Sequence, residues 1–245
     1  MTATVNLEEV ERFNALAQTW WDPSGPMWPL HRLNAARVPF IMEILSEQLN
    51  LDPASEASLK GLRVLDVGCG AGLLSESMAV RGAEVTGVDP AERNIAIARG
   101  HAEEHGLDID YRCGSVEALD CGDFDVVLNM EVVEHVDDLH VFMSRCGELT
   151  AVGGLQFVAT INRNPLSWLV AIFGAEYVLR WLPRGTHQWR KFVKPLEVES
   201  MLGVSSLETV ARRGVSVNPF TRQISVTDFM GVNYMLAARR LSAAA

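Results

Sequence analysis

The chain has 245 residues, 48% of them apolar, enough to bury a full core, and its formal charge of −10 excludes broad binding to nucleic acid. Its four cysteines (69, 113, 121 and 146) lack C-x-x-C or zinc spacing, which excludes a disulfide or zinc framework and reads as free thiols in a reducing compartment. The acidic N-terminus carries neither a secretory nor an Arg-rich transit signal, and no run of 18 uncharged apolar residues is present to span a bilayer.

In chain order, apolar positions 7, 10, 13, 16, 17 and 20 predict a helix over 7–20 with Asn6 as its cap. Trp21-Asp22-Pro23-Ser24-Gly25-Pro26 breaks it, and a second helix is expected from about 34 to 49. An α/β core then occupies roughly 60–160, with strands at 62–67, 83–88, 109–113, 124–129 and 154–160 and helices near 71–81, 91–105 and 136–150. This alternation predicts a parallel sheet with helices on both faces. Residues 162–194 form an insertion. A helix near 195–202 and β-rich stretches at 207–217 and 232–239 complete the sheet, all within one domain spanning 1–245.

The first strand runs into Asp66-x-Gly68-x-Gly70-x-Gly72, followed by Leu73, Leu74 and Met78 on one helical face. Strand, glycine turn and helix N-terminus let a ligand approach bare backbone and free N–H groups. Asp89, at the end of the next strand, is placed to bind two ribose hydroxyls. A dinucleotide fingerprint needs a third glycine at 73, where this chain has Leu73, which argues against a nicotinamide dehydrogenase. The pattern resembles the cofactor loop of class I S-adenosylmethionine (SAM) methyltransferases, whose ligand has an amino-acid tail and no pyrophosphate. The bland alternative is a tight βα turn without a ligand.

Ligands of such sheets lie beyond the carboxyl ends of the strands. That groups Gly68–Gly72, Asp89, 114–116 and 129–130; Val116 is placed to flank an adenine, and Met130 to touch the cofactor or simply to pack in the core. Glu131, Glu134 and His135 follow. On a helical turn their spacing shares one face. Three roles remain open for them: holding a divalent cation, general-base catalysis by His135 or Glu134, or charge at a helix N-terminus.

Residues 162–194 carry Arg163, Arg180, Arg184, Arg190, Lys191 and Lys194 against Glu176, a local +5 that leaves −15 on the rest. They also hold Trp168, Trp181 and Trp189, half of the chain's tryptophans. A basic, aromatic, amphipathic segment suits an anionic membrane surface; the alternative is a lid packed on the domain.

Several motifs together resemble the ubiquinone biosynthesis O-methyltransferases, from about Phe13 to Leu236. They are Phe13-Asn14 with Trp20-Trp21-Asp22-Pro23, Leu30-His31-x-Leu33-Asn34-x-x-Arg37, Asn162-Arg163-Asn164, Gly174-Ala175-Glu176-Tyr177, Gly185-Thr186-His187, Lys191-Phe192-x-Lys194-Pro195 and Asn233-Tyr234-Met235-Leu236. One departure is Ala35-Ala36, where the family often has Asn-Pro; Arg37 stays in place. The resemblance implies a Rossmann-like class I fold with an N-terminal helical extension, and O-methylation of a 2-polyprenyl-6-hydroxyphenol and a 3-demethylubiquinol. It implies SAM contacts at Arg37, Gly68, Asp89 and Met130, joined by Gly70 of the loop, and a divalent cation, usually Mg2+, on Glu131, Glu134 and His135. His31 and Asn34 are weaker candidates for substrate contact. Expected partners are the polyprenylated catechol or quinol, an anionic membrane through 162–194, and other ubiquinone biosynthesis proteins, with no nucleic acid. The expected location is cytoplasmic, at the periphery of the inner membrane. A methyltransferase for another phenol and a silent SAM-binding scaffold are the competing functions.

Overall fold

Short runs rich in β-branched residues become one eight-stranded sheet in the computed structural model, which describes residues 4–52, 54–120, 122–179, 181 and 188–242. The strands are β1 (Arg63–Val67), β2 (Glu84–Asp89), β3 (Ile109–Cys113), β4 (Phe124–Met130), β5 (Thr150–Ile161), β6 (Leu207–Val217), β7 (Ile224–Thr227) and β8 (Asn233–Arg240). Their order across the sheet is β3-β2-β1-β4-β5-β8-β6-β7. The first five are parallel and the last three pair antiparallel. Strand order reverses between β1 and β4, which opens a crevice at their carboxyl ends.

The helices are α1 (Leu7–Leu16), α2 (Trp28–Leu49), α3 (Leu73–Ala79), α4 (Glu92–Glu104), α5 (Leu139–Leu149), the single turn α6 (Pro165–Ser167) and α7 (Pro195–Val204). Asn6 caps α1 as expected, accepting from the Glu9 N–H at 3.1 Å. α2 starts at Trp28, six residues before the expected 34, because Pro29 sits in its first turn, where a missing N–H costs nothing. It ends on left-handed Asn50. Ile41 and Leu45 of α2, with Leu74 and Met78 of α3, pack on Val64, Leu128 and Phe157 on one face of the sheet. On the other face Met143 of α5 and Leu202 of α7 pack on Leu65, Val127 and Val158.

Two strand readings need correction. β5 begins at Thr150 and not at 154, through a bulge opposite Phe124 and Val126. A Cβ on Gly154 would lie 2.9 Å from the carbonyl oxygens of Ala151 and Asp125, so the bulge requires glycine there. β7 was not expected at all: Ile-Ser-Val-Thr is short, half-buried throughout and at the sheet edge.

Gln156 of β5 lies between Val127 and Ala238, fully buried, and neither its amide oxygen nor its nitrogen finds a partner among the described residues. A buried amide without a partner costs about 1–3 kcal/mol. Gln156→Met, similar in volume, is therefore expected to stabilise the fold. Each kcal/mol recovered raises the melting midpoint by about 2–4 °C for a chain of this size. A calorimetric midpoint at or below that of the natural chain would show that the amide is satisfied.

Candidate active site

Gly70 has φ +56°, and a Cβ there would collide with the Trp20 ring. Trp20, buried, covers Gly70 and lines the cavity in its place. The next residue, Trp21, donates from Nε1 to the Ala71 carbonyl at 3.1 Å. The Gly70 N–H donates to Asp89 Oδ2 at 3.0 Å and the Ala91 N–H to Oδ1 at 2.8 Å. Each carboxylate oxygen thus keeps acceptor capacity for a ribose hydroxyl. Ser75 Oγ donates to Asp66 Oδ2 at 2.6 Å. Burial raises the pKa of both acids to about 6, against these hydrogen bonds. Cys69 is sealed in the loop; burial and then the charges of Asp89 and Asp66 push its thiol well above the ordinary range, so it is inert. Cys113 and Cys146 are also free thiols, and Cys121 lies outside the described residues.

Beyond the strand ends lies a cavity of about 860 Å³. Of the expected cofactor residues, Arg37, Gly68, Asp89, Val116 and Met130 line it, as does Asn34. Gly70 stands one layer back, behind Trp20, where it positions Asp89 instead of facing the cavity. His31 is also outside; its Nε2 pairs with the Trp20 carbonyl at 2.8 Å. Arg37 descends from α2, only 4% exposed, and its Nε has no partner among the described residues. The acids around it are Glu131, Asp66 and Glu134. A buried guanidinium with an unmet donor, facing a cavity, fits the carboxylate of an amino-acid ligand. The buried Ser115 Oγ, also in the cavity lining, has no partner among the described residues.

The helical-turn reading of 131–135 is corrected. Glu131 has φ +62°, residues 133–135 form a turn closed by the His135 N–H on the Val132 carbonyl (2.8 Å), and α5 begins only at Leu139. The three side chains line the cavity, the two carboxylates together and the imidazole turned away. Glu134 accepts from Thr160 Oγ1 at 2.8 Å, while His135 Nδ1 pairs with Glu9 of α1 at 3.2 Å. Burial and then the neighbouring Glu134 raise the Glu131 carboxyl to about 7. Glu9 moves the other way: burial alone would raise it, but the bond and charge of His135 hold it low. The two carboxylates side by side fit a hard divalent cation. The imidazole does not join them: Glu131, Glu134 and His135 do not bring three donor atoms within 4.8 Å. Glu9, Trp20 and Ser75 are site residues that sequence spacing missed; only the Trp20-Trp21-Asp22-Pro23 motif hinted at one of them.

The insertion is pinned by its asparagines. Asn162 donates to the Met230 carbonyl (2.9 Å), Asn164 to that of Gly231 (2.8 Å), and Asn164 caps α6 through the Ser167 N–H (2.9 Å). Arg163 pairs with Glu197 and Lys191 lies 3.6 Å from Asp137. Residues Trp168–Val178 form a π-helix, a form that is rare and often found at functional sites. Arg180, Arg184 and the Gly185-Thr186-His187 motif lie outside the described residues, as do the side chains of Ala175, Tyr177 and Val178.

A sheet of this order, with acids at the ends of its first two strands around a glycine loop, defines a class I SAM-dependent methyltransferase. The Methyltransferase domain family matches residues 65–158. The ubiquinone biosynthesis O-methyltransferase of Sinorhizobium fredii is 52% identical over 239 residues, covering 97% of this chain and 96% of that protein. That of Chelativorans sp. is 50% identical over 244 residues, covering 99% and 96%. The chain belongs to the ubiquinone biosynthesis O-methyltransferase family, and it is a SAM-dependent O-methyltransferase. Among solved structures, magnesium protoporphyrin IX methyltransferase from Synechocystis with bound SAH superposes with a TM-score of 0.67 at 20% identity over 94% of each chain, a likeness of fold.

Proposed function

We propose that this enzyme methylates ring hydroxyls of a 2-polyprenyl-6-hydroxyphenol and of 3-demethylubiquinol, reaching both at a membrane surface. The shape of the cavity carries this reading. Arg37, Asp89 and Glu131 make part of it polar, while Leu166, Val170, Trp181 and Phe229 make another part apolar. A ring with a prenyl tail needs both; a small phenol has no use for the apolar walls. A prenylated ring partitions into lipid, so the exposed apolar residues Leu166, Trp168 and Phe173 beside the cavity support meeting it at the lipid surface.

Bound SAM supplies an electrophilic methyl group on a sulfonium sulfur. Asp89 would accept from two ribose hydroxyls, Arg37 would take the amino-acid carboxylate, Val116 would flank the adenine and Met130 would touch the cofactor. Fixing the cofactor this way sets the direction of attack and removes the orientational cost of the transfer. Glu134 and His135 stand on the cavity wall as acceptors for the ring hydroxyl proton. Glu131, at about 7, is neutral or charged according to what its neighbours hold. A divalent cation on Glu131 and Glu134, completed by His135 once it leaves Glu9, would supply a Lewis acid that lowers the hydroxyl pKa.

SAM turnover on a short-chain prenyl catechol, with and without EDTA, tests both parts. The prenyl catechol is expected to exceed plain catechol by at least tenfold in kcat/KM, since each buried methylene contributes about 0.8 kcal/mol. Equal values for the two would defeat the substrate assignment. Chelation is expected to lower kcat by about 10²-fold or more, within the range of acid–base assistance. A rate unchanged by exhaustive chelation removes the cation and leaves His135 or Glu134 as base.

A further inference from the structure

A second cluster of metal-ligating side chains lies away from the cavity. His101 and His105 are four residues apart at the end of α4 and so share a face. Glu76, buried on α3, points its carboxylate at His101 Nδ1, 2.8 and 3.0 Å from the two oxygens. One donor atom from each of the three lies within 4.8 Å of the other two, the sole such group among the described residues. His105 Nδ1 sits 2.8 Å from the His101 carbonyl. A carbonyl only accepts, so Nδ1 carries the proton and Nε2 keeps its lone pair, the arrangement that orients a metal-binding imidazole. None of the three residues lines the cavity.

The rings are also held from outside. Trp21 stacks on His101 with centroids 3.4 Å apart and planes 4° apart, and His105 stacks next to it at 4.1 Å and 21°. Trp21 is the residue that holds the Ala71 carbonyl in the glycine loop.

We propose that Glu76, His101 and His105 form a site for a borderline transition metal, of which Zn2+ is the type, that ties α3 and α4 together beneath the N-terminal cap. Two imidazoles and one carboxylate select Zn2+ over Mg2+ or Ca2+, which prefer all-oxygen ligands. Tetrahedral ligands at zinc distances stand about 3.4 Å apart. A metal lies in the plane of each ligating ring, so the exposed His105 turns out of its stack on His101, giving up the bond to the His101 carbonyl, and solvent takes the fourth position. The loaded site immobilises the ring on which Trp21 rests, and through Trp21 it steadies the glycine loop.

The test is calorimetric titration of the metal-stripped full chain with Zn2+, in the natural sequence and in His105→Gln, His101→Gln and Glu131→Gln. Beside any Zn2+ taken up at the cavity acids, a site is expected in the natural chain that is at least tenfold weaker in His105→Gln and lost in His101→Gln. Glu131→Gln is expected to keep it, which separates it from any cation at the cavity. Zn2+ is also expected to raise the melting midpoint of the natural chain more than that of His105→Gln. His105 is exposed at a helix end, so that variant folds, and its SAM affinity without metal should match the natural chain. Equal Zn2+ binding in His105→Gln, His101→Gln and the natural chain, or no Zn2+ site left in Glu131→Gln, overturns the proposal.

Discussion

Asp89→Ala is expected to weaken SAM binding by about 30- to 160-fold, equivalent to roughly 2–3 kcal/mol for two charge-assisted hydrogen bonds. The loss has two sources. In the proposed complex the carboxylate would present acceptors to the ribose, and it already holds the N–H groups of Gly70 and Ala91, so its removal loosens the loop that shapes the site. The pH dependence separates them. In the free enzyme the Asp89 and Asp66 carboxyls titrate at about 6. Hydroxyl donors and a sulfonium cation favour the ionised forms, so binding expels a proton below that pH. Affinity is full above about pH 7 and falls as pH drops through 6, up to tenfold per unit for each group involved. In Asp89→Asn the contribution from residue 89 disappears and the profile flattens. Calorimetry across pH 5–8 reads both effects. Unchanged affinity in Asp89→Ala would remove this residue from the cofactor site.

The parts of the fold that were legible in advance are those in which one local rule dominates. The first four strands of the core were recognisable because apolar runs meet glycine or an acid at the position where the ligand crevice forms. α1 was legible from its stripe and its cap. The failures lie where tertiary context decides. The turn at Glu131 has the i, i+3, i+4 spacing of a helix, yet a left-handed residue redirects it, and spacing alone carries no information on φ. β7 pairs only because β6 offers it an edge. The π-helix is apolar nearly all round, so it shows no period to read. Motifs point to Asp89 and Arg37, both of which line the cavity, whereas Trp20 over Gly70 and Glu9 against His135 join residues 50 or more positions apart. Gly70 illustrates the limit: its motif is a cofactor loop, but in this chain its open face is filled by the protein's own tryptophan.

Trp168→Ser with Phe173→Ser and Arg190→Glu is expected to abolish co-sedimentation with vesicles rich in phosphatidylglycerol. Leu166, Trp168, Leu169, Val170 and Phe173 are all 42–50% exposed, close together in sequence, and adjoin the cavity wall at Leu166 and Val170. Monomeric proteins seldom leave such a patch to water, and patches of this kind mark interaction sites. A membrane is the occupant we propose: the tail of the proposed substrate would reside there, and the insertion is basic in a chain of charge −10. Lys191 already faces Asp137, so Arg190 is the better basic residue to reverse. Burying the open half of each aromatic contributes about 1 kcal/mol, and reversing one charge at an anionic surface costs about 2 kcal/mol. The sum, about 4 kcal/mol, is near a thousandfold in partitioning. Salt should weaken binding of the natural chain only in part, because screening acts on the charge and leaves the apolar contribution intact. SAM affinity should survive in the variant, since these residues lie apart from Asp89 and the glycine loop. Equal sedimentation of variant and natural chain would leave this segment as a lid over the acceptor site.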